Sequence, residues 1–222
     1  MRIGILGAGR MADALGTQWV RAGHELTLSG RDPVKVAALA ERLGPAARAG
    51  TWIEAATSGE VVLLAVRDYA VAEVLAAAGA ADGTLRGRVL IDCTNPVVPG
   101  RFTLATEGGP SMAERVAEAT GSRVVKAFNL CHEDVWRMTP PVFDGVPLSV
   151  PLCGDDRDAL ATVRSLVEDL GCGAVEAGGL ERAGLLEATA AFMIGLWFRG
   201  ADAQAVLPPL RFASGSPDRA NA

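Results

Sequence analysis

The chain has 222 residues, a net charge of −5 and an apolar content of 50%, which fits one globular domain or a domain with a small extension. No cluster of Lys and Arg forms a basic stripe, so a nucleic-acid partner is not expected. No charged leader precedes a long apolar segment, and the longest apolar run of the C-terminal half, residues 190–198, is too short to span a bilayer. We therefore expect a cytoplasmic protein with no membrane partner.

Strand-like and helix-like segments alternate along the chain, which is typical of an α/β fold with a largely parallel sheet. Short apolar runs predict strands at residues 2–7, 25–29, near 47, 61–66, 88–92, 123–128, 148–153 and 174–177. Apolar residues at helical spacing predict helices at residues 10–22, 33–43, 52–56, 68–78, 111–120, 155–170 and 181–205. Asp32 is the expected cap of the second helix, and Ser111 with Glu114 forms an expected capping box.

This rhythm predicts a Rossmann-type, doubly wound, mostly parallel sheet with a small C-terminal helical extension. We expect three regions: a dinucleotide-binding domain over residues 1–150, a small C-terminal lobe over residues 151–212 and a disordered tail over residues 213–222. The tail is assigned from its content of Ser, Gly, Pro and Asn.

The four cysteines are scattered and form no Cys-x-x-Cys pair, at Cys93, Cys131, Cys153 and Cys172. This spacing favours buried thiols over a metal or redox site. We therefore predict no metal site.

The first predicted strand runs into a G-x-G-x-x-A motif that reads, in order, Gly7, Ala8, Gly9, Arg10, Met11 and Ala12. The first glycine allows the tight turn, the second lets a pyrophosphate approach the backbone, and the alanine lets the helix pack close to the sheet. The helix N-terminus then offers N–H groups and a positive dipole end to the phosphates. The motif predicts dinucleotide binding. Arg10 either flanks the adenine or a phosphate or lies in solvent.

The end of the second predicted strand indicates which dinucleotide binds. An NAD site usually carries Asp or Glu there, for the ribose 2′-hydroxyl. This chain has Ser29, Gly30 and Arg31 instead. A hydroxyl and a guanidinium suit a 2′-phosphate, since Arg makes charge-assisted, bidentate bonds to it. The alternative is an Arg31 that points into solvent. We therefore predict NADP(H) rather than NAD(H).

Later strand ends complete the predicted cleft, because ligands lie at the carboxyl ends of the strands in a doubly wound sheet. These ends contribute Val66, Arg67, Asn95, Ala127 and Asn129. Asn95 and Asn129 either bind the nicotinamide carboxamide or ribose, or satisfy their own turns.

Several segments together resemble a known family: residues 3–11, 22–26, 29–33, 91–96, 124–129 and 185–187. They are similar to the NADP-dependent oxidoreductases that react with the deazaflavin coenzyme F420. The cytoplasmic domain of NADPH-dependent ferric reductases is similar in the same segments. The resemblance implies a Rossmann domain that holds NADP, a small C-terminal part that closes over the nicotinamide, coenzyme F420 as the second redox partner, and a homodimer. An apolar patch agrees with the dimer, at Phe192, Met193, Trp197 and Phe198.

One departure concerns Arg67, because the family often has Val-Pro at this strand end. Its charge either suits an anionic acceptor or indicates a different partner. Hydride transfer between two cofactors needs little acid–base help, and His132, beside Glu133, is only a weak candidate for a catalytic proton donor. Two other hypotheses remain open. One is an NADPH-dependent reductase of a small metabolite (an imine or carbonyl) or of ferric iron, and the other is a non-catalytic NADPH-binding protein.

Overall fold

A computed structural model of the chain describes residues 1–202 and residue 206. Its centre is a parallel sheet of six strands, β1 (Arg2–Leu6), β2 (Glu25–Ser29), β3 (Ala47–Ala49), β4 (Val61–Leu64), β5 (Val89–Asp92) and β6 (Arg123–Lys126). The strands lie in the order β3-β2-β1-β4-β5-β6. The chain leaves β1 towards one edge of the sheet and returns to β4 on the other side of β1. The crevice between β1 and β4 is therefore the topological switch point at which such sheets bind ligands.

Seven α-helices connect or follow the strands in the described part of the chain. They are α1 (Arg10–Arg21), α2 (Pro33–Leu43), α3 (Trp52–Ser58), α4 (Val71–Ala77), α5 (Met112–Thr120), α6 (Arg157–Glu168) and α7 (Ala183–Trp197). The predicted caps are confirmed: the Asp32 side chain accepts from two backbone amides of α2, and Ser111 and Glu114 form a complete capping box on α5. None of these helices is long and apolar enough to cross a bilayer.

Up to residue 202, the C-terminal part adds four short strands. The hairpin β7 (Val142–Phe143) and β8 (Val146–Pro147) is antiparallel, whereas β9 (Ser149–Leu152) and β10 (Gly173–Glu176) pair in parallel. The β9 strand leads into an antiparallel bridge in which the Lys126 amide donates to Cys153 at 2.8 Å. The predicted domain boundary at residue 150 thus falls inside β9. The α6 helix behind β9 shares the apolar core of the main sheet, and the Trp19 indole of α1 donates to its Leu166 carbonyl at 3.1 Å.

The Rossmann-type fold predicted from the sequence is confirmed. The predicted strands overshoot mainly at their carboxyl ends: β4 stops at Leu64 rather than at residue 66, and β6 stops at Lys126 rather than at residue 128. Apolar residues continue past both ends. The Ala65 and Ala127 amides each make one further hydrogen bond to the neighbouring strand, and Phe128 then adopts a φ of +61°. The predicted last helix divides into a short 3-10 turn at Leu180–Arg182 and α7. The tail predicted at 213–222 lies outside the described residues.

Candidate dinucleotide site

The glycine turn between β1 and α1 lies at the switch point. Gly7 has a φ of +132°, and its amide donates to the Ser29 carbonyl at 3.0 Å. A Cβ on Gly7 would overlap the Ala65 carbonyl and lie 3.2 Å from the Val66 side chain. Only glycine fits this position without strain. The turn is therefore packed against the end of β4.

Gly9 has the opposite environment. It is exposed and precedes the first residue of α1 in an extended conformation, with a φ of −92°, and no side chain caps the helix. A Cβ built on Gly9 would find no atom within 4 Å. The start of α1 thus has amides without a side-chain acceptor and free space in front of them, as a pyrophosphate site requires. Ala12 is fully buried behind this turn, whereas Ala8 and Met11 are half-buried against the core.

The end of β2 lies beside the turn, since a Cβ on Gly30 would be 3.2 Å from the Ala8 Cβ. The prediction that the Ser29 hydroxyl binds the 2′-phosphate needs correction. Ser29 is fully buried, and its hydroxyl donates to the Ile5 carbonyl at 2.9 Å. This bond joins β2 to β1 within the sheet. Arg31 is exposed, and within the described part of the chain its side chain makes no hydrogen bond or ion pair. It is the free cation at this strand end.

The end of β4 also provides a free cation. Val66 is half-buried against Gly7, and Arg67 beside it is exposed. Among the described residues, the Arg67 side chain has no hydrogen-bond or ion-pair partner. Tyr69 follows and is 76% exposed. The chain therefore presents an arginine and an aromatic ring next to the glycine turn.

Asn95 and Asn129, predicted from separate strand ends, form a pair of amides. The Asn129 side-chain nitrogen donates to the Asn95 side-chain oxygen at 3.0 Å and to the Leu186 carbonyl at 3.1 Å. The Asn95 nitrogen donates to the Asn129 carbonyl at 2.7 Å. The two loops after β5 and β6 and the start of α7 are thus joined at one point.

Among the described residues, two buried oxygen atoms at this amide pair have no hydrogen-bond partner, the Asn129 Oδ1 and the Thr94 Oγ1. Buried polar atoms are normally paired, so this end of the sheet has acceptor capacity that the described residues do not use. Ala127, predicted to contact the cofactor, is fully buried, and its amide donates to the Asp92 carbonyl at 3.1 Å. That prediction is corrected as well, because Ala127 has no accessible surface.

Arg10 and His132 lie together on the surface at the N-terminus of α1. The Arg10 guanidinium pairs with Glu133 at 2.6 Å, and the His132 ring, 58% exposed, lies 3.4 Å from Glu133 and 3.3 Å from Asp134. The Arg10 side chain is 66% exposed and is paired with carboxylates on the surface. His132 occupies a solvated acidic surface instead of a buried pocket.

Cys93, which follows β5, is equally unsuited to acid–base or redox chemistry. Burial, with the Asp92 carboxylate beside it, raises the pKa of its thiol to about 12.

The structure also contains a buried ionic cluster that was not predicted from the sequence, formed by Lys126, Asp92 and Glu187, none of which has any exposed surface. The Lys126 ammonium lies 2.9 Å from the Asp92 carboxylate and 2.7 Å from that of Glu187. One signal was present in the sequence: Lys126 interrupts an apolar strand, and lysines are rare in this chain. Its partners lie 34 and 61 residues away, so no local pattern identifies them.

A cleft of about 500 Å³ opens elsewhere, lined by Arg2, Thr27, Arg48 and their neighbours. It lies at the amino-terminal side of β1 and β2, away from the glycine turn. It is therefore separate from the dinucleotide site.

Comparison with known proteins agrees with this geometry. The family described as NADP oxidoreductase, coenzyme F420-dependent, matches residues 2–96. The F420-dependent NADP reductase of Methanothermobacter marburgensis is 32% identical over 215 residues, which covers 88% of this chain and 92% of that protein. A solved structure from Arthrobacter sp. FB24, provisionally assigned as an F420-dependent NADP reductase, has a TM-score of 0.78 at 26% identity. It covers 90% of this chain and 95% of its own.

The rat metalloreductase STEAP3 is also similar, at 29% identity over 196 residues and 88% of this chain. The chain spans only 38% of the length of that relative. The likeness therefore covers one part of a longer protein.

The fold, the glycine turn and these relatives together define a Rossmann-type oxidoreductase that uses NADP. Its identity to the Methanothermobacter enzyme extends over nearly the whole of both proteins. The chain belongs to the family of F420-dependent NADP reductases.

Proposed function

We propose that this protein transfers hydride between NADP(H) and the deazaflavin coenzyme F420. The observation that carries the proposal is the open, uncapped start of α1 at Gly9, with Arg31 nearby, whose side chain has no partner among the residues that the structure describes. Such a site suits a pyrophosphate and a 2′-phosphate. Membership of the family supports the deazaflavin as the second redox partner.

We assign the cofactor-binding roles as follows. The pyrophosphate binds to the backbone of Gly7, Ala8 and Gly9 and to the first turn of α1, which contains Arg10 and Met11. Gly30 and Arg31 hold the adenosine end, and Ser29 supports them through its bond to β1. At the nicotinamide end, Val66 and Arg67 form one wall and the Asn95–Asn129 pair forms the other, with Ala127 as support behind it.

When bound, the nicotinamide and deazaflavin rings supply the redox chemistry themselves: a hydride passes between them, and solvent balances one proton. The protein's part is to orient the rings and exclude water. This division of roles is consistent with a site whose best titratable candidate, His132, is exposed on an acidic surface. Replacing His132 with Ala should therefore leave the rate of hydride transfer nearly unchanged.

The test is direct. Purified protein is mixed with NADPH and oxidised coenzyme F420, and the absorbance of both is followed under saturating conditions. We expect NADPH oxidation and F420 reduction in equal amounts, and the Gly9→Val variant serves as the binding-defective control. If the protein binds NADPH but causes no absorbance change, the proposal is wrong.

An acceptor panel tests the second candidate, which the similarity to a metalloreductase favours. Ferric chelates and cyclic imines replace the deazaflavin in the same assay. An imine reductase needs a proton donor, so loss of turnover in His132→Ala would support that function. If none of the acceptors in the panel supports oxidation of NADPH, only NADPH binding is left as the function.

We further propose a homodimer that forms through the exposed apolar side chains of α7. Phe192, Trp197 and Phe198 are 56%, 47% and 77% exposed, and the Phe198 ring packs 5.0 Å from Phe102. Exposed apolar side chains of this size are typical of an interface. Light scattering should give a dimer mass for the protein and a monomer mass for Trp197→Glu.

We also propose a cytoplasmic location. The four cysteines are all free thiols, and disulfides are rare in reducing compartments. Cell fractionation tests this proposal.

A further inference from the structure

The ammonium group of Lys126 is buried in a site built to its chemistry. Only two of the 21 basic residues in the chain are lysines, Lys35 and Lys126. Lys126 has three N–H donors and three acceptors: Asp92 at 2.9 Å, Glu187 at 2.7 Å and the Thr94 carbonyl at 2.6 Å. An arginine, with five donors in a rigid plane, would leave donors unpaired in this buried space. The position therefore requires lysine.

Both carboxylates of the cluster are fully engaged as acceptors. Glu187 accepts from Lys126 and from the amides of Met112 and Ala113 at 3.1 and 3.3 Å. Asp92 accepts from Lys126 and, through its other oxygen, from the Thr94 amide at 2.9 Å. Every oxygen of the two carboxyl groups therefore receives at least one N–H. Burial alone would lower the pKa of Lys126, but the two carboxylates outweigh it and raise the pKa.

The cluster is connected to the amide pair at the nicotinamide end by two routes. Lys126 binds the Thr94 carbonyl, which belongs to the peptide bond preceding Asn95. Glu187 holds the first turns of α7, and its neighbour Leu186 accepts from the Asn129 side chain. Both members of the pair therefore depend on the same ammonium group.

We propose that Lys126 is a positioning residue for hydride transfer, because it holds the peptide before Asn95 and the first turns of α7 so that the Asn95–Asn129 pair can bind the nicotinamide carboxamide. This inference rests on the proposed function. The inference connects the ionic cluster only to the nicotinamide end of the cofactor. We expect no effect of Lys126 on the adenosine end, at Arg31.

The first test separates the two ends of the cofactor. In Lys126→Met we expect the single-turnover hydride-transfer rate to fall on the order of 10²-fold. The Kd of 2′,5′-ADP, which lacks the nicotinamide, should stay within about twofold. Arg88→Met is the control, because Arg88 is a cation that is half-buried rather than fully buried and donates to two backbone carbonyls, those of Thr84 and Gly59. It lies at the opposite end of β5 and should change neither quantity.

The second test asks whether Lys126 acts through the amide pair. Asn129→Ala should lower the same rate, and the double variant with Lys126→Met should lose little more than the worse single variant. Fully additive losses would overturn the proposal. Equal weakening of 2′,5′-ADP and NADP⁺ binding in Lys126→Met would also overturn it, because it would indicate general destabilisation.

The third test uses the unaltered protein and is independent of both folding and turnover. With two lysines in the chain, ¹⁵N-lysine labelling gives at most two side-chain signals, and the exposed Lys35 serves as an internal control. We expect NADP⁺ to shift the Lys126 signal and 2′,5′-ADP to leave it in place. An unmoved Lys126 signal with NADP⁺ bound contradicts the inference. If the deazaflavin assay fails, this binding experiment still decides the role of Lys126.

Discussion

At the residue scale, we expect Arg31 to be the residue that makes the protein bind NADP more tightly than NAD. It is exposed at the end of β2, and within the described residues no carboxylate competes for it. Arg31→Ala should therefore weaken NADPH binding by roughly 1–3 kcal/mol and leave NADH binding nearly unchanged. Titration of both cofactors by fluorescence measures the preference, and Arg86→Ala, an exposed arginine outside the site, is the control. Equal affinities for NADH and NADPH in the unaltered protein would contradict the assignment.

Two glycines of one turn should respond oppositely to substitution. Gly9→Val should fold with nearly unchanged stability, because the backbone conformation at this position suits any residue and a Cβ there meets no other atom. Its affinity for NADPH should fall at least about tenfold, since the valine side chain fills the space for the pyrophosphate. Gly7→Ala should instead destabilise the fold, because a Cβ there overlaps the Ala65 carbonyl at a positive φ. Chemical denaturation and NADPH titration separate the two effects. A destabilised Gly9→Val protein would disprove the distinction.

At the scale of elements, α3 and α5 carry the same capping box in different surroundings. Thr51 caps exposed α3, whereas Ser111, capping α5, is 3% exposed. Water can replace the lost bond at Thr51 but not at Ser111. We expect Thr51→Ala to cost about 0.5–1 kcal/mol and Ser111→Ala about 1–2 kcal/mol. Urea denaturation measures both free energies of unfolding, and equal costs would show that burial of the cap has no influence.

Most elements were predictable because their signals are local. Asp32 before Pro33 and Ser111 before Glu114 mark helix starts within four residues, and the run from Val61 is apolar enough to identify a buried strand. The direction of Ser29 was not predictable, since alternation along a strand covered on both faces carries no inside or outside signal. The Asn95–Asn129 pair was predicted only as two separate strand ends. Its hydrogen bonds depend on the sheet order.

At the scale of the whole molecule, buried thiols should make stability depend on alkaline pH. Burial raises the pKa of Cys93 from 9.0 to about 12, so above about pH 9 the unfolded chain releases a proton that the folded chain retains. Stability from this thiol should then fall by up to about 1.4 kcal/mol per pH unit. The pKa of Lys126 is also raised, so its contribution to the free energy of unfolding stays complete until the pH exceeds the pKa of an ordinary lysine. Its loss therefore starts later than that of the thiols.

Denaturation midpoints should accordingly be flat from about pH 7 to 8.5 and decline above pH 9. The Cys93→Ala variant has one such thiol fewer and should show a shallower decline, whatever its stability at neutral pH. If the denaturation midpoint declines equally steeply with pH in the protein with and without Cys93, this thiol is not the cause of the decline.

The Glu187 carboxylate links three elements through one side chain, since it accepts from Lys126 of β6 and from two amides of α5. These bonds cannot be lost one at a time by fraying, because α7 either presents the carboxylate or withdraws it from all of them. Unfolding of the first half of α7 is therefore coupled to loss of order at β6 and α5. The structure implies a single cooperative unit in which the backbone amides of α7 near Glu187 exchange with solvent only when the sheet itself opens.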